Sequence, residues 1–301
     1  MKVAAITITL NDDYKFEEWY SHYSEYKSEL YKHIIIDNGS EKAYLDKVKS
    51  KFSDSIIIDR GSNGGCTLAY NDGIKLALSD PDVDSILLIG NDIRLAPNSI
   101  STLYDYLYSS NDLGMVSPIL LSKNSDIVEC YGCRNSYFNE MIQLNKHNHI
   151  SEVGETSKIV DYVPGGINLS KIDFYKTVGL QDENLFMYCD EYDMYRRSRL
   201  KQIKMGVIKS AIAWHQHINP NNSVVRSPAM AVLNLRNCIY VARKHDSNFK
   251  AMQIFIYYFA ISTVNLSRSL FNKPKRRYFM SYFKGLYKGL FLDMNNDFII
   301  K

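Results

Sequence analysis

The sequence predicts an α/β protein with a mostly parallel sheet and a helical C-terminal region. Over the first hundred residues, short runs rich in Ile and Val alternate with longer helix-like segments. Strands that alternate with helices form parallel βαβ units, with helices on both faces of the sheet. The run Ser85–Ile89 is apolar after its first residue, as expected of a strand buried on both faces. After about residue 220 the pattern becomes mostly helical.

The predicted elements follow one another in a regular order up to about residue 110. The predicted strands are Val3–Leu10, His33–Ile36, Ile56–Ile58 and Ser85–Ile89, and the predicted helices are Tyr14–Leu30, Glu41–Lys51 and Cys66–Leu78. Between about 110 and 170 the pattern is irregular. Its strand-like pieces are Ile127–Cys133 and Ile159–Val163, followed by a helix and by the strand-like Met205–Trp214. We place a domain boundary after residue 220, which predicts an α/β domain at 1–220 and a helical region at 221–301.

Composition excludes a disordered chain and a disulfide framework. The 301 residues are 46% hydrophobic and 23% charged, which is typical of globular proteins. Five cysteines, an odd number without framework spacing, indicate a reduced, intracellular protein. Cys130 and Cys133 form a C-x-x-C without a second pair, so we interpret them as structural. The N-terminal apolar run is too short for a signal peptide, and no stretch has the length and purity of a spanning helix, so we expect a soluble body.

Polar side chains follow three of the predicted strands. Asn11 and Asp12 follow the first strand, residues 37–40 the second, and Asn91 and Asp92 the fourth. Asp, Asn and Gly often make turns after strands, so one such end would indicate only a turn. Because ligands bind at the carboxyl ends of parallel strands, three such ends at one sheet edge favour a polar pocket for a nucleotide.

Several motifs, in a fixed order, resemble glycosyltransferase family 2 in its bacterial rhamnosyltransferase-like branch. The motifs are TITLN (7–11), IIIDNGS (34–40), NGGCTLAYNDGI (63–74), LLIGNDIRL (87–95), GGINLSKIDFYKTVGLQDENLFMYCDEYDMYRR (165–197) and AWHQH (213–217). Each motif alone is weak, whereas the ordered set, over roughly residues 3–245, is specific. The resemblance implies the GT-A fold, a Rossmann-like, mostly parallel mixed sheet flanked by helices, with a C-terminal helical appendage.

The resemblance also implies a divalent cation, Mn²⁺ or Mg²⁺, held against the diphosphate of a nucleotide sugar. Such a cation stabilises the negative charge on the departing nucleoside diphosphate. Asp92 stands where the family has its acidic metal motif, and the alternative is a turn or helix-capping acid. The family often has a second acid two residues earlier, where this sequence has Gly90, so we expect weak affinity. His215 is the second predicted ligand, and His217 is a substitute or a bystander.

The resemblance places further residues at the donor and the acceptor. The predicted donor-binding residues are Thr9, Asn11, Asp37, Asn71, Asn91 and Asp92, with Asp37 bonding the base or the ribose. Gly165 and Gly166 make a small-residue turn that lets a sugar approach the main chain. These two glycines and Asp193 are the predicted acceptor-binding residues. Arg60 and Arg94 are candidate phosphate partners, although surface arginines rarely have so specific a role.

Asp190, Glu191 and Asp193 lie near the start of a predicted helix, where the helix dipole favours carboxylates. A catalytic interpretation competes with this structural one, because an attacking sugar hydroxyl must lose its proton to a base. Glu191 matches the family's catalytic acid in a Glu-Asp-x-Asp arrangement. Here the order is Asp-Glu-x-Asp, which leaves Asp190 as a rival. The implied reaction is an in-line displacement that inverts the anomeric configuration.

The C-terminal segment is basic, although the formal net charge of the chain is only +3. Residues 273–301 carry seven Lys or Arg against two Asp. Residues 254–271 are mostly apolar, and 273–292 interleave basic side chains with apolar ones at helical spacing, namely Tyr278, Tyr282, Phe283, Leu286 and Leu290. This pattern fits a helix in an anionic membrane interface. The alternative is an amphipathic helix that covers the domain or a partner in a homo-oligomer. No nucleic-acid recognition motif accompanies the charge.

These observations predict an inverting glycosyltransferase that uses dTDP-rhamnose or a UDP-hexose. Its acceptor would be a glycan, lipid-linked, in capsule or cell wall polysaccharide biosynthesis at the cytoplasmic face of the plasma membrane. The alternative is a nucleotide-sugar-binding protein without catalysis, which Gly90 and the exchanged order of Asp190 and Glu191 favour. A nucleotidyltransferase is disfavoured, because no Gly-rich, basic phosphate loop follows the first strand.

Overall fold

The computed structural model describes residues 1–216, 228–269 and 272–297, and the chain divides into two compact units. Unit 1 consists of Met1–Arg134, Ile142–Gln181 and Met194–His217. Unit 2 consists of Asn135–Met141, Asp182–Asp193 and Ile218–Lys301. Unit 2 therefore takes in two segments that precede the predicted boundary at residue 220.

Unit 1 is built on a ten-stranded mixed sheet. Its strands are β1 (Val3–Thr9), β2 (Lys32–Asp37), β3 (Ile56–Asp59), β4 (Ser85–Ile89), β5 (Ile93–Leu95), β6 (Leu113–Ser122), β7 (Val128–Cys130), β10 (Ser157–Val160), β11 (Ile167–Lys171) and β12 (Lys204–His215). The strand order is β10-β12-β6-β11-β4-β1-β2-β3, with β5 paired to β12 and β7 paired to β6. Two short strands, β8 (Cys133–Asn135) and β9 (Met141–Gln143), pair separately with each other.

The helices of the first two hundred residues alternate with these strands. They are α1 (Phe16–Tyr26), α2 (Lys42–Lys51), α3 (Gly65–Leu78), α4 (Ser99–Tyr108), α5 (Ile172–Val178) and α6 (Asp190–Leu200), whose first turn belongs to unit 2. The predicted order of strands and helices up to Ile89 is confirmed, with ends that differ by a few residues. The apolar strands form the core because their side chains are buried on both faces; β4 is buried throughout.

The parallel strands end together at one edge of the sheet. β1 runs parallel to β2 and to β4, and Thr9 lies in register with Asp37. β12 runs parallel to β6, with His215 in register with Ser122. β11 is antiparallel to both β4 and β6, so these two strands also share one direction. We call the edge where β1, β2, β4, β6 and β12 end the carboxyl edge.

The interpretation of residues 110–170 as irregular was wrong for two strands at the centre of the sheet. β6 contains both a glycine and a proline, and three of the five residues of β11 are polar, so neither has the apolar run of a buried strand. Asn168 and Ser170 of β11 are nevertheless buried, and the Ser170 hydroxyl donates to the carbonyl of Ile86 at 3.3 Å. The predicted strand Ile127–Cys133 is divided into β7 and β8 around Gly132, which has a φ of +83°.

Unit 2 contains three long helices, which confirms the helical C-terminal region. They are α7 (Pro228–His245), α8 (Asn248–Arg268) and α9 (Lys273–Leu290). Their shared core is formed by Leu235, Cys238, Ile239, Ala242, Ala251, Ile254 and Leu286. Gly285 lets α9 approach α7 closely, since an added Cβ would lie 2.6 Å from the Val232 carbonyl oxygen. Among the helices in the described ranges, none is long and apolar enough to cross a membrane.

Candidate active site

Asp12 joins the ends of two neighbouring strands at the carboxyl edge. Its Oδ2 accepts hydrogen bonds from the Leu10 amide at 3.2 Å, the Thr9 hydroxyl at 3.3 Å and the Asn91 Nδ2 at 2.7 Å. The carboxylate thereby fixes Thr9 and Asn91, which were both predicted as donor-binding residues. The sequence placed Asp12 among the polar strand ends of the pocket, but it did not predict this contact with Asn91, 79 positions away.

Thr9 and Asn11 connect the end of β1 to the start of α2. The Thr9 hydroxyl lies 2.5 Å from the Tyr44 hydroxyl. The Asn11 Oδ1 accepts a hydrogen bond from the Glu41 amide at 2.9 Å, and the Asn11 amide donates to the Ser40 hydroxyl at 2.9 Å. Asn11 has a φ of 51°, a left-handed conformation that Asn tolerates better than most residues. These bonds hold the two strand-end loops together.

Asp37 is fully buried and has one carboxylate oxygen without a partner. Its Oδ2 accepts from the amides of Gly39 at 3.2 Å and Ser40 at 2.9 Å. Its Oδ1 is buried and has no hydrogen-bond partner among the described residues. A buried, unsatisfied acceptor costs free energy, so this oxygen is suited to a ligand N–H or O–H donor. Gly39 is required, because its φ is +93° and an added Cβ would lie 2.7 Å from the Ser62 backbone.

Asn71 is fully buried on α3 and is bonded to the backbone of Gln181 in both directions. Its Nδ2 donates to the Gln181 carbonyl and its Oδ1 accepts from the Gln181 amide, each at 2.9 Å. This reciprocal pair anchors the loop after α5 to α3. A contact between Asn71 and the donor stays a prediction.

The two candidate phosphate-binding arginines each have a carboxylate partner in unit 1. Arg60 Nε donates to Asp72 Oδ2 at 2.8 Å, and Arg94 Nε donates to Glu25 Oε2 at 3.2 Å. The Arg60 side chain is nearly buried, whereas the Arg94 pair is exposed to solvent. Arg60 therefore braces the loop before α3, and a contact of either arginine with phosphate stays a prediction.

His215, the last residue of β12, lies between two carboxylates. Its Nε2 is 3.5 Å from Asp92 Oδ2, and its Nδ1 is 2.9 Å from Glu129 Oε1. The Gln216 amide also donates to the Asp92 carbonyl at 2.7 Å, which fixes the two chain segments together. Burial lowers the pKa of the His215 imidazole, but hydrogen bonds to the two carboxylates and their charges outweigh burial and raise the pKa to about 9.

Glu129 is a site residue that sequence reasoning missed. It lies on β7, a three-residue strand in the region without clear periodicity, 86 positions from His215. A carboxylate only accepts hydrogen bonds, so Nδ1 of His215 carries the proton in this contact. In a neutral ring the lone pair is then on Nε2, on the side of Asp92.

Asp92 and His215 fit a divalent cation with two protein ligands. A carboxylate oxygen and an imidazole nitrogen are both ligands of Mn²⁺, and 3.5 Å lets both reach one ion. Within the described part of the chain, no group of three or more His, Cys, Asp or Glu side chains is arranged to hold a metal. An added Cβ at Gly90 would lie 2.8 Å from Asp92 Oδ1, so a larger residue there would crowd this carboxylate. His217 lies outside the described residues.

The turn at Gly165 and Gly166 lies beside the end of β4. The Gly166 carbonyl accepts a hydrogen bond from the Gly90 amide at 2.9 Å. An added Cβ at Gly166 would meet only Ile93, at the ordinary distance of 3.6 Å. The surrounding protein therefore does not itself require glycine at position 166.

The acid pair Asp190–Glu191 opens α6, and its first turn belongs to unit 2. The two residues are adjacent in the chain, and the charge of Asp190 acts on Glu191. Burial raises the pKa of Asp190 to about 6. Burial and the neighbouring Asp190 charge raise the pKa of Glu191 well above its ordinary range. A carboxyl group with a pKa of about 6, such as that of Asp190, can hold and release a proton near neutral pH, as an acid–base catalyst must.

Asp193 is fully buried, and its carboxylate is bonded to α7. Its Oδ1 lies 2.7 Å from His245 Nε2 and 2.7 Å from Lys244 Nζ. Lys244 also reaches Asp182 Oδ2 at 2.7 Å. These bonds connect the end of α7 to the first turn of α6. The geometry thus gives Asp193 a structural part, and its contact with an acceptor stays a prediction.

The sequence comparisons identify one family and one curated relative. The profile described as "Glycosyl transferase family 2" matches residues 18–204. The low-salt glycan biosynthesis hexosyltransferase Agl10 of Haloferax volcanii is 23% identical over 209 residues, which is 67% of this chain and 64% of the relative. This chain therefore spans just under two thirds of the length of that relative.

Three solved structures share the fold at low sequence identity. The structure of GalNAc-T7 with UDP, GalNAc and Mn²⁺ has a TM-score of 0.64 at 12% identity, covering 100% of this chain and 58% of that one. The mannosyltransferase PcManGT of Pyrobaculum calidifontis, with GDP-Man and Mn²⁺, has a TM-score of 0.58 at 11% identity over 96% and 87% of the chains. S. aureus TarS 1-349 has a TM-score of 0.54 at 12% identity over 98% and 82%. These likenesses confirm the predicted GT-A fold.

Proposed function

Since this chain belongs to glycosyl transferase family 2, we propose that it transfers a sugar from a nucleotide-sugar donor to a glycan hydroxyl, with inversion at the anomeric carbon. The observation that carries this proposal is the carboxyl edge of unit 1. That edge gathers the unpaired oxygen of Asp37 and the pair Asp92–His215 on one side of a GT-A sheet. Ligands of α/β sheets bind at this edge.

The carboxyl edge has the groups that a nucleotide diphosphate needs. Asp37 Oδ1 accepts an N–H or O–H of the nucleoside, in a pocket shaped by Thr9 and Asn11. Asp92 and His215 hold Mn²⁺ or Mg²⁺, which, when bound, offsets the charge on the departing diphosphate. The Mn²⁺ and nucleotide ligands of GalNAc-T7 and PcManGT support this assignment.

Glu191 is the proposed base, with the adjacent Asp190 as its partner. The acceptor hydroxyl gives its proton to the Glu191 carboxylate while the acceptor oxygen forms a bond to the anomeric carbon. At the same time the bond from the anomeric carbon to the diphosphate breaks. Burial raises the pKa of Glu191 above its ordinary range, and a carboxylate of higher pKa is a stronger base. The hexosyltransferase relative supports a hexose donor such as a UDP-hexose, with dTDP-rhamnose as the other candidate.

The proposed acceptor is a lipid-linked glycan of a cell-surface polysaccharide, reached at the inner face of the plasma membrane. In support, α8 exposes large apolar side chains at a spacing of three or four residues, which places them on one face: Phe249, Met252, Ile256 and Phe259. α9 begins with an exposed basic turn, namely Lys273, Lys275, Arg276 and Arg277. Leu286 of α9 is instead buried in the core of unit 2, so the apolar face of α9 packs inside the protein.

A donor panel tests the transferase proposal directly. Purified protein is titrated with UDP-, dTDP- and GDP-sugars in the presence of Mn²⁺ or Mg²⁺, and binding and donor hydrolysis are measured. We expect at least one nucleotide sugar to bind and to be hydrolysed slowly in a cation-dependent way. If no nucleotide sugar binds or turns over, the proposal is overturned.

Vesicle sedimentation tests the membrane contact separately. We expect binding to vesicles that contain phosphatidylglycerol, weaker binding to pure phosphatidylcholine, and loss of binding in the double variant Ile256→Glu/Phe259→Glu. Leu200→Glu changes an apolar residue of unit 1 that is still more exposed, and it is the control. Equal sedimentation of both variants and the wild type would contradict the contact.

A further inference from the structure

The segment that leads into the acid pair follows a strained path. Phe186, Tyr188 and Cys189 have φ values of 63°, 70° and 64°, in the left-handed region that side chains other than glycine and asparagine rarely adopt. Each such residue is strained and persists only where surrounding contacts hold it. The path of residues 184–189 is therefore held by groups outside the segment.

The Asn237 side chain supplies three of these contacts from α7. Its Nδ2 lies 2.9, 2.8 and 2.9 Å from the carbonyl oxygens of Leu185, Met187 and Tyr188. Its Oδ1 accepts a hydrogen bond from Arg236 Nε at 2.9 Å, which fixes the orientation of the amide. The side chain is fully buried, so water does not replace these bonds.

Arg236 binds the start of the same segment. Its Nη2 donates to the carbonyls of Asn184 at 3.5 Å and Leu185 at 3.2 Å, and its Nη1 to the Met294 carbonyl at 3.2 Å and Asn296 Oδ1 at 2.7 Å. The guanidinium is fully buried, and among the described residues it forms no ion pair with a carboxylate. A buried charge needs compensation, and here carbonyl dipoles provide it.

We propose that Arg236 and Asn237 are positioning residues for the acid pair Asp190–Glu191. Together they bind four backbone carbonyls within residues 184–188. These contacts hold the strained segment, so that α6 begins with the two carboxyl groups in the positions that the structure gives them. They act through the backbone and do not touch the reacting atoms. This inference rests on the proposed function in one respect, that the acid pair serves as the base.

Asn237→Ala tests the proposal, with Ile239→Ala as its matched control. Both positions are buried on α7, but Ile239 belongs to the helical core of unit 2. Both variants should lower stability. Only Asn237→Ala should also lower kcat, by about 100-fold, with the donor KM changed less than about twofold, because unit 1 supplies the predicted donor site. A similar fall in kcat for both variants, or an unchanged kcat in Asn237→Ala, would overturn the proposal.

Amide hydrogen exchange separates this inference from the transferase proposal. The Asp193 amide donates to the Cys189 carbonyl at 2.9 Å, so its exchange reports the junction between the segment and α6. We expect exchange at 187–193 to be at least about tenfold faster in Asn237→Ala than in Ile239→Ala. If the wild type transfers no sugar but this difference is found, the transferase proposal fails and the positioning of the segment stands. If the wild type transfers sugar and the difference is missing, the inference fails.

A second variant keeps the test decisive if Asn237→Ala does not fold. Arg236→Lys retains the positive charge but has three N–H donors in place of five, so it removes part of the hold on Asn184 and Leu185. We expect an intermediate loss of kcat, between wild type and Asn237→Ala, and an intermediate rise in exchange at 187–193. Wild-type kcat and exchange in a folded Arg236→Lys protein would count against the proposal.

Discussion

Replacing His215 by Asn should remove a contribution to stability that depends on pH. The two neighbouring carboxylates raise the pKa of His215 from an ordinary 6.5 to about 9 in the folded protein. At about 1.36 kcal/mol for each pH unit, this difference corresponds to an upper limit of about 3 kcal/mol. Because the folded state binds the proton more tightly, the contribution is complete below pH 6.5 and is lost as pH rises to about 9.

Urea unfolding of the wild type and His215→Asn between pH 6 and pH 10 measures this contribution. The difference in unfolding free energy should be largest at pH 6 and should fall by about 2–3 kcal/mol by pH 10. His147→Asn, at an exposed histidine, is the control for the His-to-Asn substitution itself. A His215→Asn difference that stays constant, or that grows with pH, would refute the assignment of Asp92 and Glu129 as the partners of a protonated ring.

Three further substitutions test the geometry. Gly39→Ala should lower the free energy of unfolding by at least about 2 kcal/mol, because residue 39 has a left-handed φ and an added Cβ would lie 2.7 Å from the backbone. Gly61→Ala is the control: residue 61 also has a left-handed φ but faces open space, so the same urea titration should show a loss of about 1 kcal/mol. Gly285→Ala should destabilise unit 2 by about 1–2 kcal/mol despite the better helix propensity of Ala, because the added Cβ would clash with the backbone of Val232. Ser281→Ala on the same helix is the control and should be neutral or stabilising. Asp37→Asn places an N–H donor where the unpaired oxygen was, so donor affinity in calorimetry should fall about tenfold or more; unchanged affinity would contradict the nucleoside contact.

Local patterns predict the first half of the sheet well because its strands are short apolar runs between turn residues. β4 is the clearest example, since all five of its residues are buried. Local sequence patterns do not predict β11, because pairing with its neighbouring strands, and not its own composition, makes it a strand. It lies between β4 and β6 and buries Asn168 and Ser170, which local propensity would place at the surface.

In the candidate site, too, the sequence predicts some features and not others. Asp12, Asp37 and Asp92 could be placed at one edge of the sheet from the sequence because parallel strands end together, whereas the roles of the site residues stay predictions. The contacts of this edge could not be predicted, because Asp12 reaches Asn91, and Glu129 reaches His215, across residues far apart in the chain. Sequence periodicity reports which face of an element is buried, and it contains no information about which distant side chain completes a hydrogen bond.

The contacts that hold residues 184–189 before α6 could not be predicted from the sequence either. The pair Arg236–Asn237 lies within a helix whose pattern indicates only burial on one side. Its importance becomes visible when the carbonyls of 184–188 and the positive φ values of 186–189 are seen together. Within the described ranges Arg236 is buried without a carboxylate partner, which is uncommon enough to indicate a specific task.

The most direct test of the sugar-transfer account is the Glu191→Gln variant, measured for donor binding and for turnover in parallel. Gln keeps the size of the side chain and cannot accept the acceptor's proton. The account predicts a fall in kcat of about 100- to 10,000-fold with donor affinity within about threefold of wild type. An unchanged rate would show that Glu191 is not the base. A wild type that binds the donor but never turns it over would show that this chain binds nucleotide sugars without transferring them.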